Sequence, residues 1–375
     1  NTPNSLIIQG NEKVLSARLS DGAFLYAQDL KHPLEQFNKK LAVMTFQKEL
    51  GSMLDKVERI KKNAQIINAH LKLADDKKLS RAALLCKSDL ASELVKEFPE
   101  LQGIIGKYYA EAQSEDREVA LAIEEHWFPK FEGAPLPTTP TGIVLSLADK
   151  FDNLLSYYSV GLKPTSSSDP YSLRRQTIGI IKMLLAGKMS LNLKNLLQEC
   201  APKMSHALID EVLHFITQRA KMLFEDAGFK KDEVEASLKL CIDPYDQFCK
   251  VQALHAFRKS TDFVKLHEVY KRAKGQLGKP SAVPFDPALA KEPAEKALVA
   301  KLDQLQKRWK ETLSARDYTR AFHLMAELQP PLAHLFDSVK ILDEDLKQRA
   351  NRIALLQKVF AYFEELLDFS MIQEL

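Results

Sequence analysis

"LAVMTFQKELGSMLDKVERIKKNAQIINAHLKLA", residues 41–74, places apolar side chains at Phe46, Leu50, Met53, Leu54, Val57, Ile60, Ala64 and Ile67. Steps of three and four residues fall on one face of an α-helix, so the stretch predicts a long helix interrupted near Gly51. The same period recurs downstream. One helix is expected to carry Ala82 to Phe98 and to end at Pro99, and another to run from Glu118 to Trp127 before Pro129. Residues 129–142, "PKFEGAPLPTTPTG", hold four prolines and two glycines and read as a loop. Helix is expected again over 143–162. In "KPTSSSDPYSLRRQTIGIIKMLLAG" (163–187) Asp169 reads as an N-cap, Pro170 as the first helical residue and Gly187 as the stop. Four or five more helical runs follow, broken by a loop at 278–293, with no internal repeat of solenoid period.

One region reads otherwise. In residues 6–28, Val14, Ser16 and Arg18 alternate with Leu15, Ala17 and Leu19 ahead of Asp21-Gly22, after which Phe24, Leu25 and Tyr26 resume the apolar run. Asp-Gly between apolar runs signals a tight β-hairpin. A lone hairpin is marginal in water, so this one is expected to complete a sheet lying upstream. The fold class is therefore mainly α, with a short β-hairpin at the N-terminus.

The 375 residues suffice for two or three domains. The 13 glycines and 17 prolines are few for a loop-rich β protein of this length. A net charge of +3 leaves nucleic-acid binding to a local patch rather than a global field. Cys86, Cys200, Cys241 and Cys249 form no C-x-x-C and read as reduced thiols of a cytoplasmic protein. No run approaches the ~18 apolar residues of a membrane span. Without an initiator Met or a signal-peptide pattern, the chain is expected to be a piece of a longer protein.

A hydrolytic metal centre of the His-Asp type would need an early His on one helix, a His-Asp pair on the next and a late Asp, converging on a divalent ion that activates water. "AALLCKSDL" (82–90) has Cys86-Lys87 where the pair belongs, and "MLDKVERI" (53–60) offers Lys56 in place of the early His. Late carboxylates are present in "LADKFDNL" (147–154), where Asp149 and Asp152 share a helix face. His126 completes a degenerate remnant with Asp149. One His and one Asp fall short of a divalent site, so no metal is expected, and both residues read as helix-to-helix hydrogen-bonding groups.

Across nearly its whole length the chain resembles the C-terminal half of the β subunit of bacterial glycyl-tRNA synthetase, of the heterotetrameric type or its fused α–β form. The resemblance rests on ordered blocks: "GNEKVLSARLSDGAFLYAQDLKHPLE" (10–35), "TFQKELGSMLDKVERI" (45–60), "KSDLASELVKEFPELQGIIGKYYA" (87–110), "AIEEHWFP" (122–129), "LSLADKFDNL" (145–154), "DPYSLRRQTIGIIKML" (169–184) and "LFDSVKILDEDLKQRANRIALLQKV" (335–359). It implies a helical domain of the His-Asp fold without its chemistry, followed by an α-helical anticodon-binding bundle. The implied boundaries are 1–33 for the end of an upstream domain, 34–240 for the degenerate His-Asp domain and 241–375 for the bundle. It further implies a tRNA-recognition part of a glycine–tRNA ligase, with tRNA(Gly) and the α subunit or fused α region as partners and neither membrane nor DNA. ATP and Mg²⁺ would serve the whole enzyme, with no cofactor and no catalytic residue in this stretch. Two rival readings are a metal-dependent phosphohydrolase and a helical scaffold for subunit assembly.

Three places are candidates for tRNA contact. "HAFRKSTDFVKLHEVYKRAKGQLGK" (255–279) sets seven Lys or Arg against two acids. With Phe263, Leu266, Val269 and Ala273 facing inward, Arg258, Lys259, Lys265, Lys271, Arg272 and Lys274 are left for the surface. A solvated helix face with its cations near the C-terminus accounts for the same pattern. In "DLKQRANRIALLQKVF" (345–360) Arg349, Asn351 and Arg352 could meet phosphate and base edges, or the arginines could pair with Asp343, Glu344 and Asp345. Arg174 and Arg175 open a helix, where cations call for an acid such as Asp149 or Asp152, or a phosphate. Tyr108, Tyr109, Trp127 and Trp309 could stack on bases, although aromatics at helical spacing are more often core.

Overall fold

Ser52 fixes where the first core helix begins. Its side chain accepts from the backbone N–H of Asp55, and the Asp55 carboxylate accepts from the Ser52 N–H at 2.7 Å, a reciprocal capping box. The helix Met53–Leu71 follows directly. In the computed structural model, which describes residues 5–238, 242–276 and 283–373, the stretch just before it is not helix. Thr45–Gln47 and Gly51–Ser52 pair as a small antiparallel ribbon joined by a turn at 48–50, with Gly51 at φ +84° where the second strand begins. Phe46 and Leu50 thus belong to the ribbon, and the helical face that begins at Met53 buries Val57, Ile60, Ala64 and Ile67. Removing each of the larger aliphatics from water stabilises by roughly 1.5–3 kcal/mol.

The chain divides into two compact units, the first running to Ile216 and the second starting at Thr217. In the first, Met53–Leu71 packs along Pro140–Ser159, and Asp76–Leu85 and Arg117–Glu125 close over the pair. Pro140–Ser159 is buried around most of its circumference, from Val144 to Tyr158. It starts three residues before the expected position because Pro140 is tolerated in a first turn and Thr139 caps it, accepting from the Gly142 N–H. The stretch expected to be helical from Ala82 to Phe98 is broken after Leu85 into a 3₁₀ turn, Ser88–Ala91, and a short helix, Glu93–Glu97, capped by Ser92. Leu173–Ala186 begins at Leu173 rather than Pro170. Asp169 still caps it at a distance, its carboxylate accepting from the N–H groups of Leu173 and Arg174 at 2.9 Å each.

The hairpin expected over residues 6–28 is a helix, Ser5–Asp29. Among the described residues no strand flanks this segment, and a helix meets its backbone hydrogen-bonding demand internally where a lone hairpin would leave two open edges. Its far end is held by buried Asp29, which accepts from the Glu93 and Leu94 N–H groups (3.1 and 3.0 Å) and from Tyr109 Oη (2.8 Å). Mainly α is thus the class, and the short ribbon lies at 45–52 rather than at the N-terminus.

The second unit is a helical bundle. Pro244–Phe257, Thr261–Gln276, Pro293–Ser314, Tyr318–Ala326, Gln329–Ser338 and Leu346–Leu366 surround one core containing Phe257, Phe263, Leu266, Trp309, Phe322, Leu356, Phe360 and Phe363. Phe263, Leu266, Val269 and Ala273 are all buried, as the helical spacing predicts. Cys86, Cys200 and Cys249 are free thiols, while Cys241 lies outside the described residues. Among the described residues no helix is long and apolar enough to cross a membrane.

Candidate functional site

Lys56, one turn into its helix, is buried against Asp149 and Asp152 of the facing helix. Its ammonium stands 2.8 Å from Asp152 Oδ2 and 3.0 Å from Asp149 Oδ1, the second contact too bent to count as a hydrogen bond. Lys87 approaches Asp149 Oδ2 at 3.2 Å and lies 3.6 Å from the centre of the Trp127 ring. Arg59 Nε donates to Asp152 Oδ1 at 2.7 Å. Burial opposes charge on Asp149, but Lys56 and Lys87 outweigh it and hold the carboxyl well below its ordinary range. Burial likewise pulls Lys56 down, and Asp149 and Asp152 together carry it above its usual value.

His126 is buried beside this cluster. Its Nδ1 is 2.7 Å from the Ile123 carbonyl, and its Nε2 has no hydrogen-bond partner. Burial first, and the nearby Lys87 ammonium second, keep the imidazole well below its ordinary pKa, so it is neutral. Lys150 donates to the His126 and Phe128 carbonyls and to Ser146 Oγ at 2.6–3.2 Å, and burial pushes it down to about 7. Asp89, buried two residues after Lys87, accepts from the Gly103 and Gly106 N–H groups and is raised by burial to about 6.

These residues do not fit a divalent ion. Both carboxylates are bridged by buried cations, and Lys56 and Lys87 would repel a metal placed between them. Among the described residues no group of three or more His, Cys, Asp or Glu side chains converges as ligands. Arg59 and Lys150 are not marked by the sequence pattern, and Lys87 is marked only as half of the Cys86-Lys87 replacement, not as a partner of Asp149. The clue for Lys87 was its place beside Cys86, where the metal-binding pair would stand.

The basic candidates separate sharply. Arg258 is buried, donating to Asp232 at 2.7 Å and to the Gln373 carbonyl at 2.9 Å. Arg352 is buried as well, held by Glu295 and Asp343 at 2.6 Å each and by the Lys340 carbonyl. Asn351 exchanges hydrogen bonds with the Asp286 backbone. Arg258, Asn351 and Arg352 are therefore internal fasteners rather than surface groups, because carboxylates and carbonyls from other segments converge on each. Arg349 is half-buried and donates to the Asp343 carbonyl.

Lys259, Lys265, Lys271, Arg272 and Lys274 are exposed. Arg272 pairs with Asp337 at 2.9 Å and Lys274 lies over the Tyr270 ring. Arg174 donates to the Thr165 carbonyl and Arg175 is exposed; Asp149 and Asp152, the acids considered for them, are taken by lysines and Arg59. Among the aromatics, Tyr109 and Trp309 are core, Trp309 Nε1 donating to Glu365 at 2.7 Å, whereas Tyr108 is exposed.

The chain's residues 1–239 match the family model described as glycyl-tRNA synthetase beta subunit, and residues 263–375 match the DALR anticodon binding domain. It is similar to the glycine–tRNA ligase beta subunit of Syntrophomonas wolfei, at 39% identity over 98% of this chain and 55% of that protein. The corresponding subunit of Desulforapulum autotrophicum is 38% identical over 98% of this chain and 55% of its own length. That of Clostridioides difficile is 36% identical over 97% and 54%. The chain spans about half the length of the curated relatives it matches. With the family model covering well over half of its residues, in a helical body whose last part matches the DALR anticodon binding domain, the chain belongs to the glycyl-tRNA synthetase beta subunit family.

Proposed function

We propose that this chain is the tRNA-recognition part of a glycine–tRNA ligase, which joins glycine to tRNA(Gly) at the expense of ATP. On this reading the α subunit or fused α region carries out the condensation with ATP and Mg²⁺ in the cytoplasm, and this part needs no cofactor. The observation that carries it is the match of residues 263–375 to an anticodon-binding domain whose exposed lysines lie on one helix, Thr261–Gln276. Readable RNA bases are unpaired loop bases, which suits discrimination at the anticodon, while phosphate contacts supply salt-dependent affinity.

Lys259, Lys265, Lys271, Arg272 and Lys274 are assigned to the phosphate backbone, with Arg349 on the later helix Leu346–Leu366 of the same bundle and Arg174 and Arg175 for the tRNA body. The test is binding of tRNA(Gly), and of the same tRNA with its anticodon changed, at two salt concentrations. Affinity should fall with salt and fall again on changing the anticodon. Equal affinity for unrelated tRNAs at both salts would favour a scaffold that only assembles subunits.

A further inference from the structure

Beside the Lys–Asp cluster, within the first unit, lies a cavity of about 540 Å³ lined by Arg59, Lys62, Asp152 and Lys203 and walled by Leu155, Met204 and Leu208. The geometry points to a binding site for a phosphate monoester carrying a ring-sized body that has an apolar face and a polar edge. This goes beyond anticodon recognition and does not depend on it.

Charge selects the head group. Asp152 is the cavity's carboxylate, and its two oxygens are already taken, Oδ2 by Lys56 and Oδ1 by Arg59. Arg59 keeps a third donor, Nη2, that is buried without a partner. Among the described residues, neither Lys62 nor Lys203 has a carboxylate against it, and both are exposed at the cavity. The lining itself sets Arg59, Lys62 and Lys203 against Asp152, three cations against one carboxylate that is already shared with Lys56. A dianion offsets more of that excess than a carboxylate does, and guanidinium and ammonium groups together suit phosphate oxygens.

Volume and wall select the rest. A free inorganic ion would leave most of the cavity empty and the wall of Leu155, Met204 and Leu208 wet. Mixed sites of this kind, apolar with a few convergent polar groups, fall in the size range of small-molecule pockets, roughly 300–1,000 Å³. A mononucleotide fills the description, either free or as the 5′-phosphorylated end of an RNA.

The test is equilibrium dialysis of the 375-residue chain with AMP, adenosine, inorganic phosphate and a 5′-phosphorylated trinucleotide. AMP or the trinucleotide is expected to bind with Kd of about 1 mM or tighter, and adenosine and inorganic phosphate each at least about tenfold more weakly. Whichever of the first two binds tighter identifies the source as free nucleotide or RNA end. The double variant Lys62→Glu with Lys203→Glu should weaken binding by about tenfold or more with an unchanged melting temperature, since both side chains are exposed. The inference is overturned if neither phosphorylated probe binds, if inorganic phosphate binds as well as AMP, or if the double variant binds as the parent does.

Discussion

Lys56 shows how much one side chain settles. A lysine at that helical position turns two carboxylates that could have served a metal into a buried ion-pair cluster. The sequence shows the substitution but not its consequence, because which ammonium reaches which oxygen depends on the packing of two helices nearly a hundred residues apart. Removing Lys56 leaves Asp149 and Asp152, both buried, with one cation each. Lys56→Met should therefore lower unfolding stability by about 3 kcal/mol or more, read from urea denaturation. His126 gives a second expectation at this scale. Its folded-state pKa lies below the ordinary value of 6.5, so below that pH the unfolded chain takes up a proton that the folded chain refuses. Stability should fall as pH drops from 6.5 toward the folded value, by at most about 1.4 kcal/mol per pH unit from this group. His126→Gln should flatten that part of the profile in denaturation midpoints taken between pH 7.5 and 5, and an unchanged slope would assign it to other groups.

Elements were legible where the period was long and the stop signal strong. Thr261–Gln276 follows its apolar spacing, and Gly187 closes Leu173–Ala186 as its position suggests. The errors lie where two local signals compete. Asp21-Gly22 is a good hairpin turn in isolation, yet the segment is helical because tertiary anchoring at Asp29 and the absence of a neighbouring strand among the described residues outweigh it. The break after Leu85 was hidden because 3₁₀ and α-helix share nearly the same apolar spacing over a few residues. Gly103 marks another such joint. It sits at φ +80° ahead of Ile104–Ala112, donates to Asp89 at 2.5 Å, and a Cβ there would come within 2.3 Å of the Trp127 ring. Gly103→Ala combines backbone strain with a collision against a ring that carries Lys87 on its face. It should cost more than about 2 kcal/mol, checked by thermal or urea unfolding, whereas Gly133→Ala, with open space at its Cβ, should cost only the strain of its positive φ, of order 1 kcal/mol.

At the scale of the molecule, the same residue type does opposite jobs, and only burial tells them apart. Arg258 and Lys259 are adjacent, and both stood as candidates for tRNA contact. The first is an internal fastener bound to Asp232 and a backbone carbonyl; the second is solvent-facing. Charge counts along a sequence cannot separate them: Asp343, nearby and foreseeable, takes one side of Arg352, but Asp232 and Glu295, which capture Arg258 and the other side of Arg352, lie 26 and 57 positions away. The difference yields a paired test. Reversing Lys259, Lys265 and Lys274 together should leave the melting temperature nearly unchanged, weaken tRNA binding by about tenfold at moderate salt and lower the slope of log affinity against log salt by about one to three. Arg258→Gln should do the reverse. It leaves buried Asp232 without its cation, so stability should fall by about 3 kcal/mol, and at temperatures where the variant remains folded its tRNA salt slope should match the parent's. Filter binding over a salt series, run alongside thermal unfolding, reads both quantities on both variants. If the lysine reversal left the salt slope unchanged, the phosphate-contacting face would have to lie elsewhere, with Arg174 and Arg175 the next to reverse. If Arg258→Gln lowered the slope without loss of stability, its guanidinium would have to leave Asp232 for the RNA.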